Sequence, residues 1–408
     1  MSPALIKLVA AVCFAEVLTM VGVFTFPALL PRFMEAWALS NTQAGWISGV
    51  YFAAFAVTAP VLVSLTDRVD ARRVYVCGAL ANGVACAGFA LVADGFWTAL
   101  VFRALGGAAL AGTYMPGLRV LVDRVTPDVR PRVVPLYTAC FSLGTAGSYA
   151  VSAVVADWAG WRAAFALAGG AALLAVVLVV MQAPRRPEPV AVATRLLDFR
   201  PILRNRPAMG YVLGYAVHMW ELFAYRSWVV AFLAFGVALP GGADYAHGLL
   251  APNAVATLGA LVAFGCSLVG AEVATRYGRE RMVMLYMLLS AGMALAVGLV
   301  AGVSYPVVAV VMLLYAGLIQ LDSAALTTGA VEQAEEGRRG ATLAVHSLVG
   351  FLAAFIGPLV FGVVLDSVGG GQDSVSAWVW GFVSVGVVGL LGPLVMAWGV
   401  RGARASSE

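Results

Sequence analysis

Residues 66–74 read TDRVDARRV and residues 275–282 read TRYGRERM, each a short basic interruption between two long apolar runs. Setting Arg68 on Arg276 places Asp70 on Gly278 and Arg73 on Arg281, at an offset of 208. A second pair of interruptions, PDVRPRVV at 127–134 and EEGRRGAT at 335–342, aligns Arg130 with Arg339 and Pro131 with Gly340 at an offset of 209. A steady offset close to half the chain means internal duplication.

The duplicated material is membrane-spanning. Of 408 residues 62% are apolar and only 11% charged, with a mean hydropathy of +0.92. Ordinary soluble domains carry about 25% charged residues, so this balance excludes a soluble protein. Apolar runs long enough to cross roughly 30 Å of hydrocarbon as helices lie near 6–33, 41–65, 74–94, 95–122, 133–156 and 161–182. A second set lies near 208–237, 250–274, 282–302, 304–330, 341–366 and 376–400. No run alternates in polarity as barrel strands do. The expected fold is an all-α polytopic membrane protein: 12 transmembrane helices in two pseudo-symmetric six-helix bundles, residues 1–182 and 208–408, joined by a linker at 183–207. The first run is too long for a signal peptide and is expected to remain as the first helix.

Basic residues set the orientation. Of the 25, 21 fall at or beside the termini or the loops after even-numbered spans, Arg32 and Arg162 fall on the other side, and Arg103 and Arg226 lie deep within spans. The positive-inside rule places both termini and the linker in the cytoplasm, in a multi-pass protein of the plasma (inner) membrane. The linker, with its five prolines and six arginines, reads as a connector. Its LLDFRPIL stretch at 196–203 has the alternative of a short helix on anionic lipid.

Over essentially its whole length the chain resembles the major facilitator superfamily. Asp67, Arg68, Arg72 and Arg73 look like the signature between that family's second and third helices, with Asp70 standing where a glycine is expected. Arg103 followed by Gly106 and Gly107 looks like its fourth-helix motif. The resemblance implies two bundles that rock about a central cavity lined by the first, fourth, seventh and tenth helices, with substrate near the bilayer midplane. It also implies that Asp67 and Arg68 act as a conformational latch.

Charges inside the spans are the candidate chemistry. The stretch AVHMWELFAYRSWVVAFLAF at 216–235 carries His218, Glu221 and Arg226, and an offset of 205 places Glu221 on Glu16 of the first span. A carboxylate at bilayer depth costs about 2.5–3.5 kcal/mol on insertion scales, so such residues face a bundle interior and mark proton or ion pathways. Helical spacing puts His218, Glu221 and Tyr225 on one side, with Arg226 about 140° from Glu221. Gln320 and Asp322 join them from the tenth span, and Arg103 from the fourth. The expected proton-coupling or substrate residues are Glu16, His218, Glu221, Tyr225, Arg226, Arg103, Asp322 and Gln320. A purely structural buried network is the alternative.

No catalytic residue, metal site or cofactor is expected. His218 and Glu221 lack a second nearby histidine, the five cysteines show no metal or disulfide spacing, and no Walker loop is present. The chain reads as a non-enzyme, a monomer without nucleic-acid partners, working on a small-molecule substrate and protons in the lipid bilayer. The leading function is a secondary active transporter of a small polar or charged solute, an organic anion or zwitterion, by proton-coupled alternating access. The alternatives are a proton-coupled multidrug exporter, against which the fifth span lacks a Gly-Pro signature, and a non-transporting membrane sensor.

Overall fold

The computed structural model describes residues 3–185, 199–336, 338–369 and 373–405. Within them the chain is helical: α1 (Pro3–Met20), α2 (Thr25–Ala28), α3 (Leu30–Ala36), α4 (Asn41–Leu65), α5 (Ala71–Val92), α6 (Phe96–Val122), α7 (Arg130–Gln182) and α8 (Arg200–Arg204) come first. They are followed by α9 (Arg206–Ala238), α10 (Pro252–Tyr277), α11 (Arg279–Val300), α12 (Tyr305–Gln320), α13 (Ser323–Glu332), α14 (Arg339–Ser367), α15 (Val375–Gly389) and α16 (Leu391–Ala405). Of the expected linker, residues 186–198 lie outside the described residues, among them the first three residues of LLDFRPIL; Phe199 precedes α8 and the remaining four open it.

Among the described residues 11 helical segments are long and apolar enough to span a membrane. One of them, α7, accounts for two crossings. Its 53 residues would measure about 80 Å if straight, but Gly160 adopts φ 83° and ψ 165°, which breaks the helix into two arms. A side chain at that φ would be strained. Twelve spans therefore agree with the sequence reading.

Local chemistry sets the helix starts. The Asp70 side chain accepts from the Arg72 N–H at 3.0 Å and caps α5, and the Asn205 side chain accepts from the Ala208 N–H at 3.0 Å and caps α9. Pro252 opens α10 at a position where its missing N–H costs nothing.

Three spans read as continuous are broken. The first stops at Met20 and resumes at Thr25, the tenth breaks at Leu321–Asp322, and the twelfth breaks at Leu390. Pro27 explains the first break in part, because it has no N–H to offer the Val23 carbonyl four residues earlier. At the tenth, Asp322 and Ser323 compete with the backbone for hydrogen bonds and weaken the helix.

The chain packs into two compact units: Met1–Phe33 with Val50–Thr194, and Met34–Gly49 with Arg195–Glu408. In unit 1, α1 packs along α7, and α5 along α6 and α7. Its core includes Phe89 stacked on Phe165 at 3.9 Å and Phe26 stacked on Phe33 at 5.0 Å. In unit 2, α9 is the central helix, packed by α14, α16 and α13. The best spanning window of α9 is 83% buried, against 33–56% for the others, so its polar side chains cannot face lipid. Trp228 on α9 stacks on Phe361 at 5.5 Å and meets Trp378 edge-on at 6.1 Å.

Candidate functional site

Unit 2 gathers two carboxyl groups and two imidazoles around α9. Glu221 is 3% exposed, and its Oε2 lies 3.0 Å from the Ser290 hydroxyl of α11, with Tyr315 of α12 beside it. His218, one turn earlier, is 2% exposed, with Nδ1 2.7 Å from Oδ1 of Asp322 in the α12–α13 break. That contact is short but not aligned as a hydrogen bond, since both atoms lack a hydrogen-bond partner. Asp322 is near enough to Glu221 for the two charges to repel.

The second imidazole, His346 on α14, stacks on the Tyr215 ring at 3.8 Å and places Nε2 3.3 Å from the Thr327 hydroxyl of α13. Tyr215 in turn lies 5.8 Å from the His218 ring at an interplanar angle of 21°, so one phenol spaces the two imidazoles. Several buried polar atoms here have no hydrogen-bond partner: Glu221 Oε1, both His218 ring nitrogens, His346 Nδ1 and Gln320 Oε1. Unsatisfied polar groups in a dry interior are costly, and each such group in a native structure asks for an explanation.

Unit 1 holds the other glutamate. Glu16 is fully buried, and its Oε2 lies 2.8 Å from the Tyr137 hydroxyl of α7. The same hydroxyl lies 2.8 Å from the Tyr114 carbonyl oxygen. A phenol has one proton, so it can serve only one of these acceptors at a time. Ser290 stands in the same situation, 3.0 Å from Glu221 Oε2 and 3.2 Å from the Met287 carbonyl. In both units a proton on the carboxyl group would supply the donor that the second acceptor lacks.

The remaining expected residues are spread more widely. Tyr225 donates to the Met312 carbonyl at 3.4 Å and meets Tyr315 edge-on at 5.5 Å. Arg226 is 5% exposed, with its guanidinium 5.5 Å from the Phe223 ring centre. Arg103 lies inside unit 1, over the Tyr51 ring at 4.3 Å, and its Nη1 donates to the carbonyls of Val23 at 2.9 Å and Gly22 at 3.4 Å. It therefore supplies the donor that Pro27 withholds. Ser148 assists by donating to the Val21 carbonyl at 2.6 Å and accepting from the Phe24 N–H at 3.0 Å.

At the expected latch, Asp67 meets Arg119 at 3.3 Å with both side chains about half exposed, and Arg68 is exposed. Asp70 makes the stronger pair. Both its oxygens lie 2.8 Å from Arg124 Nη2, and both side chains are almost fully buried. Sequence reasoning also missed Ser290, Tyr315 and Tyr215. For Ser290 a signal existed, since the offset of 208 sets it on Asn82, which donates to the Thr19 carbonyl of α1 at 2.8 Å.

The family model described as Major Facilitator Superfamily matches residues 12–321. Human protein spinster homolog 1 is 26% identical over 239 residues, 55% of this chain and 45% of that protein. The niacin transporter NiaP of Acinetobacter baylyi is 27% identical over 163 residues, 40% of this chain and 36% of its own length. The chain thus spans less than half the length of these curated relatives. Among solved structures, a bacterial homolog to the human lysosomal transporter Spinster, inward-facing and unoccupied, superimposes with a TM-score of 0.77 at 15% identity, over 99% of this chain and 98% of that one.

Proposed function

The chain belongs to the major facilitator superfamily, and on that premise we propose that it is a secondary transporter that moves a small organic acid or zwitterion and is driven by protons. The observation that carries the proton reading is the hydrogen count at Glu16 and Glu221. Each buried carboxyl faces a hydroxyl that a backbone carbonyl also claims. A proton on the carboxyl satisfies both acceptors, and its release leaves a charge that only water or a cation can stabilise.

The two glutamates have different tasks in this reading. Glu221 exchanges its proton during each cycle, with His218 and Asp322 at hand to receive or return it. Glu16 holds its proton within the Tyr137 arrangement and contributes less to coupling. Arg226, on another face of α9, meets the carboxylate of the solute, for which a guanidinium is suited. The likeness to a niacin transporter supports an acid as cargo, niacin being an aromatic carboxylic acid. Asp67 and Arg68 bias the conformational balance, and the termini and linker face the cytoplasm of the cell membrane.

Purified protein in liposomes, given labelled nicotinate and a panel of small carboxylates and zwitterions, tests this directly. An inside-alkaline pH gradient should drive accumulation of at least one of them. Glu221→Gln should abolish that accumulation while preserving solute counterflow, because Gln resembles the protonated acid and cannot lose a proton. Uphill uptake by Glu221→Gln with the pH gradient as sole driving force would overturn the coupling role.

A further inference from the structure

Four helices of unit 1 converge on Glu16. The acid comes from α1, Tyr75 from α5, Gly117 from α6 and Tyr137 from α7. Glu16, Tyr75 and Tyr137 are each fully buried. Gly117 lets the two phenols meet, because a Cβ there would collide with the Tyr137 hydroxyl and stand 3.0 Å from the Tyr75 ring. Glu16 lies close enough to act electrostatically on both phenols.

Two oxygens of this cradle have no hydrogen-bond partner, Glu16 Oε1 and the Tyr75 hydroxyl. Their neighbours are committed elsewhere. The Tyr137 proton is contested by Glu16 Oε2 and the Tyr114 carbonyl, each at 2.8 Å. The Thr19 hydroxyl beside Tyr75 donates to the Glu16 backbone carbonyl at 2.9 Å, and the Thr19 carbonyl accepts from Asn82 at 2.8 Å. A proton on Glu16 supplies one more donor but does not join the two oxygens, which form no bond with each other. Leaving two such groups dry in a protein interior is costly.

A bound ion removes that cost. The atoms that meet here are carboxylate, phenol and carbonyl oxygens, the hard donors that suit alkali and alkaline-earth cations. One carboxylate carries one negative charge, which a monovalent ion balances within the membrane interior. The tight approach over Gly117 favours an atomic ligand over a molecular one. Unit 2 differs, since a nitrogen base, His218, stands one turn from Glu221 and meets Asp322 at 2.7 Å.

We propose that Glu16, Tyr75 and Tyr137 form a binding site for a small monovalent metal cation of the sodium class, which takes the place of the proton that Glu16 otherwise carries. Glu16 Oε1 and the Tyr75 oxygen supply lone pairs to the ion, and Tyr137 retains its proton for Glu16 Oε2 or the Tyr114 carbonyl. The site lies within unit 1 and depends neither on the solute nor on proton exchange at Glu221.

Equilibrium binding of radioactive sodium to the purified protein in detergent, with ionic strength held constant by choline chloride, tests the site with no solute present. The parent protein should bind sodium saturably, and its unfolding temperature should rise with sodium chloride but not with choline chloride. Glu16→Gln should lose the binding. Tyr75→Phe, which removes a single buried oxygen, should weaken it at least tenfold, and it carries the test alone if Glu16→Gln does not fold. Unfolding in choline chloride shows which variants fold. Glu221→Gln should bind sodium as the parent does. An absence of saturable binding by the parent protein would overturn the site, as would parent-like binding by Tyr75→Phe and Glu16→Gln, or a loss confined to Glu221→Gln. No pH gradient enters the measurement, so these outcomes are read separately from the proton drive assigned to Glu221.

Discussion

The two units carry the same polar positions with different chemistry. An offset of 209 sets Thr113 of unit 1 on Asp322 of unit 2, and Tyr137 on His346; an offset of 205 sets Glu16 on Glu221. Around Glu16 the neighbours are hydroxyls and carbonyls. In unit 2 the same two positions hold a carboxyl group, Asp322, which contacts His218 of α9, and an imidazole, His346, which stacks on Tyr215. Duplication has preserved which positions are polar and changed both their partners and whether they can gain or lose a proton. The broken spans follow the same division. The α1–α2 break is stitched shut by Arg103 and Ser148, whereas the α12–α13 break holds Asp322 against His218.

Giving unit 2 the residues of unit 1 breaks this contrast at its strongest point. Asp322→Thr combined with His346→Tyr should reduce pH-driven accumulation to the level set by passive equilibration, a loss of ten- to a hundredfold in the accumulation ratio. Counterflow should survive, and uphill uptake measured in proteoliposomes decides the matter. Next in size is the stitch in unit 1. Arg103→Ala exposes the Val23 and Gly22 carbonyls in a dry core and should cost about 2–4 kcal/mol, read as a large fall in unfolding temperature, with Arg103→Lys recovering part of it.

A smaller effect is expected from Tyr137→Phe, which keeps the ring and removes the hydroxyl from between Glu16 and the Tyr114 carbonyl. A loss of about 1–2 kcal/mol and a drop of a few degrees on thermal unfolding should accompany near-normal coupling. Abolished coupling would instead place the two glutamates on an equal footing. The smallest change belongs to Asp67→Asn, whose half-exposed pair with Arg119 is worth at most about 1 kcal/mol. Asp70→Asn, which can keep the α5 cap but strands the buried Arg124 charge, should destabilise several times more.

Twelve spans, the duplication and the symmetric glutamates were legible because each depends on residue type and spacing alone. The split of α7 at Gly160 fell between two expected spans for the same reason. The helix breaks were less visible. The first span was read as unbroken, and the consequence of Pro27 within it depends on Arg103, 80 residues away, arriving at the freed Val23 carbonyl. Likewise Asp366 reads as an ordinary acid at a helix end, and nothing in its neighbourhood in sequence announces Asn41 and Thr42, more than 300 residues earlier. Partners set by tertiary packing, such as Tyr315 for Glu221 or Tyr215 for His346, have no periodic signature to betray them.

The stitched break in the first span also bears on how the chain is made. The Val21 carbonyl is capped by Ser148, 127 residues downstream, and Val23 by Arg103. At a synthesis rate of about 5–20 residues per second, the ribosome needs roughly 6–25 s after making Val21 to deliver Ser148. During that interval the Val21 carbonyl has only the Thr25 hydroxyl of its own span, 3.1 Å away, and Arg103 reaches the Val23 carbonyl before Ser148 is made. The break is completed only when α7 is in place, so the earliest helix to emerge is among the last in unit 1 to reach its finished form.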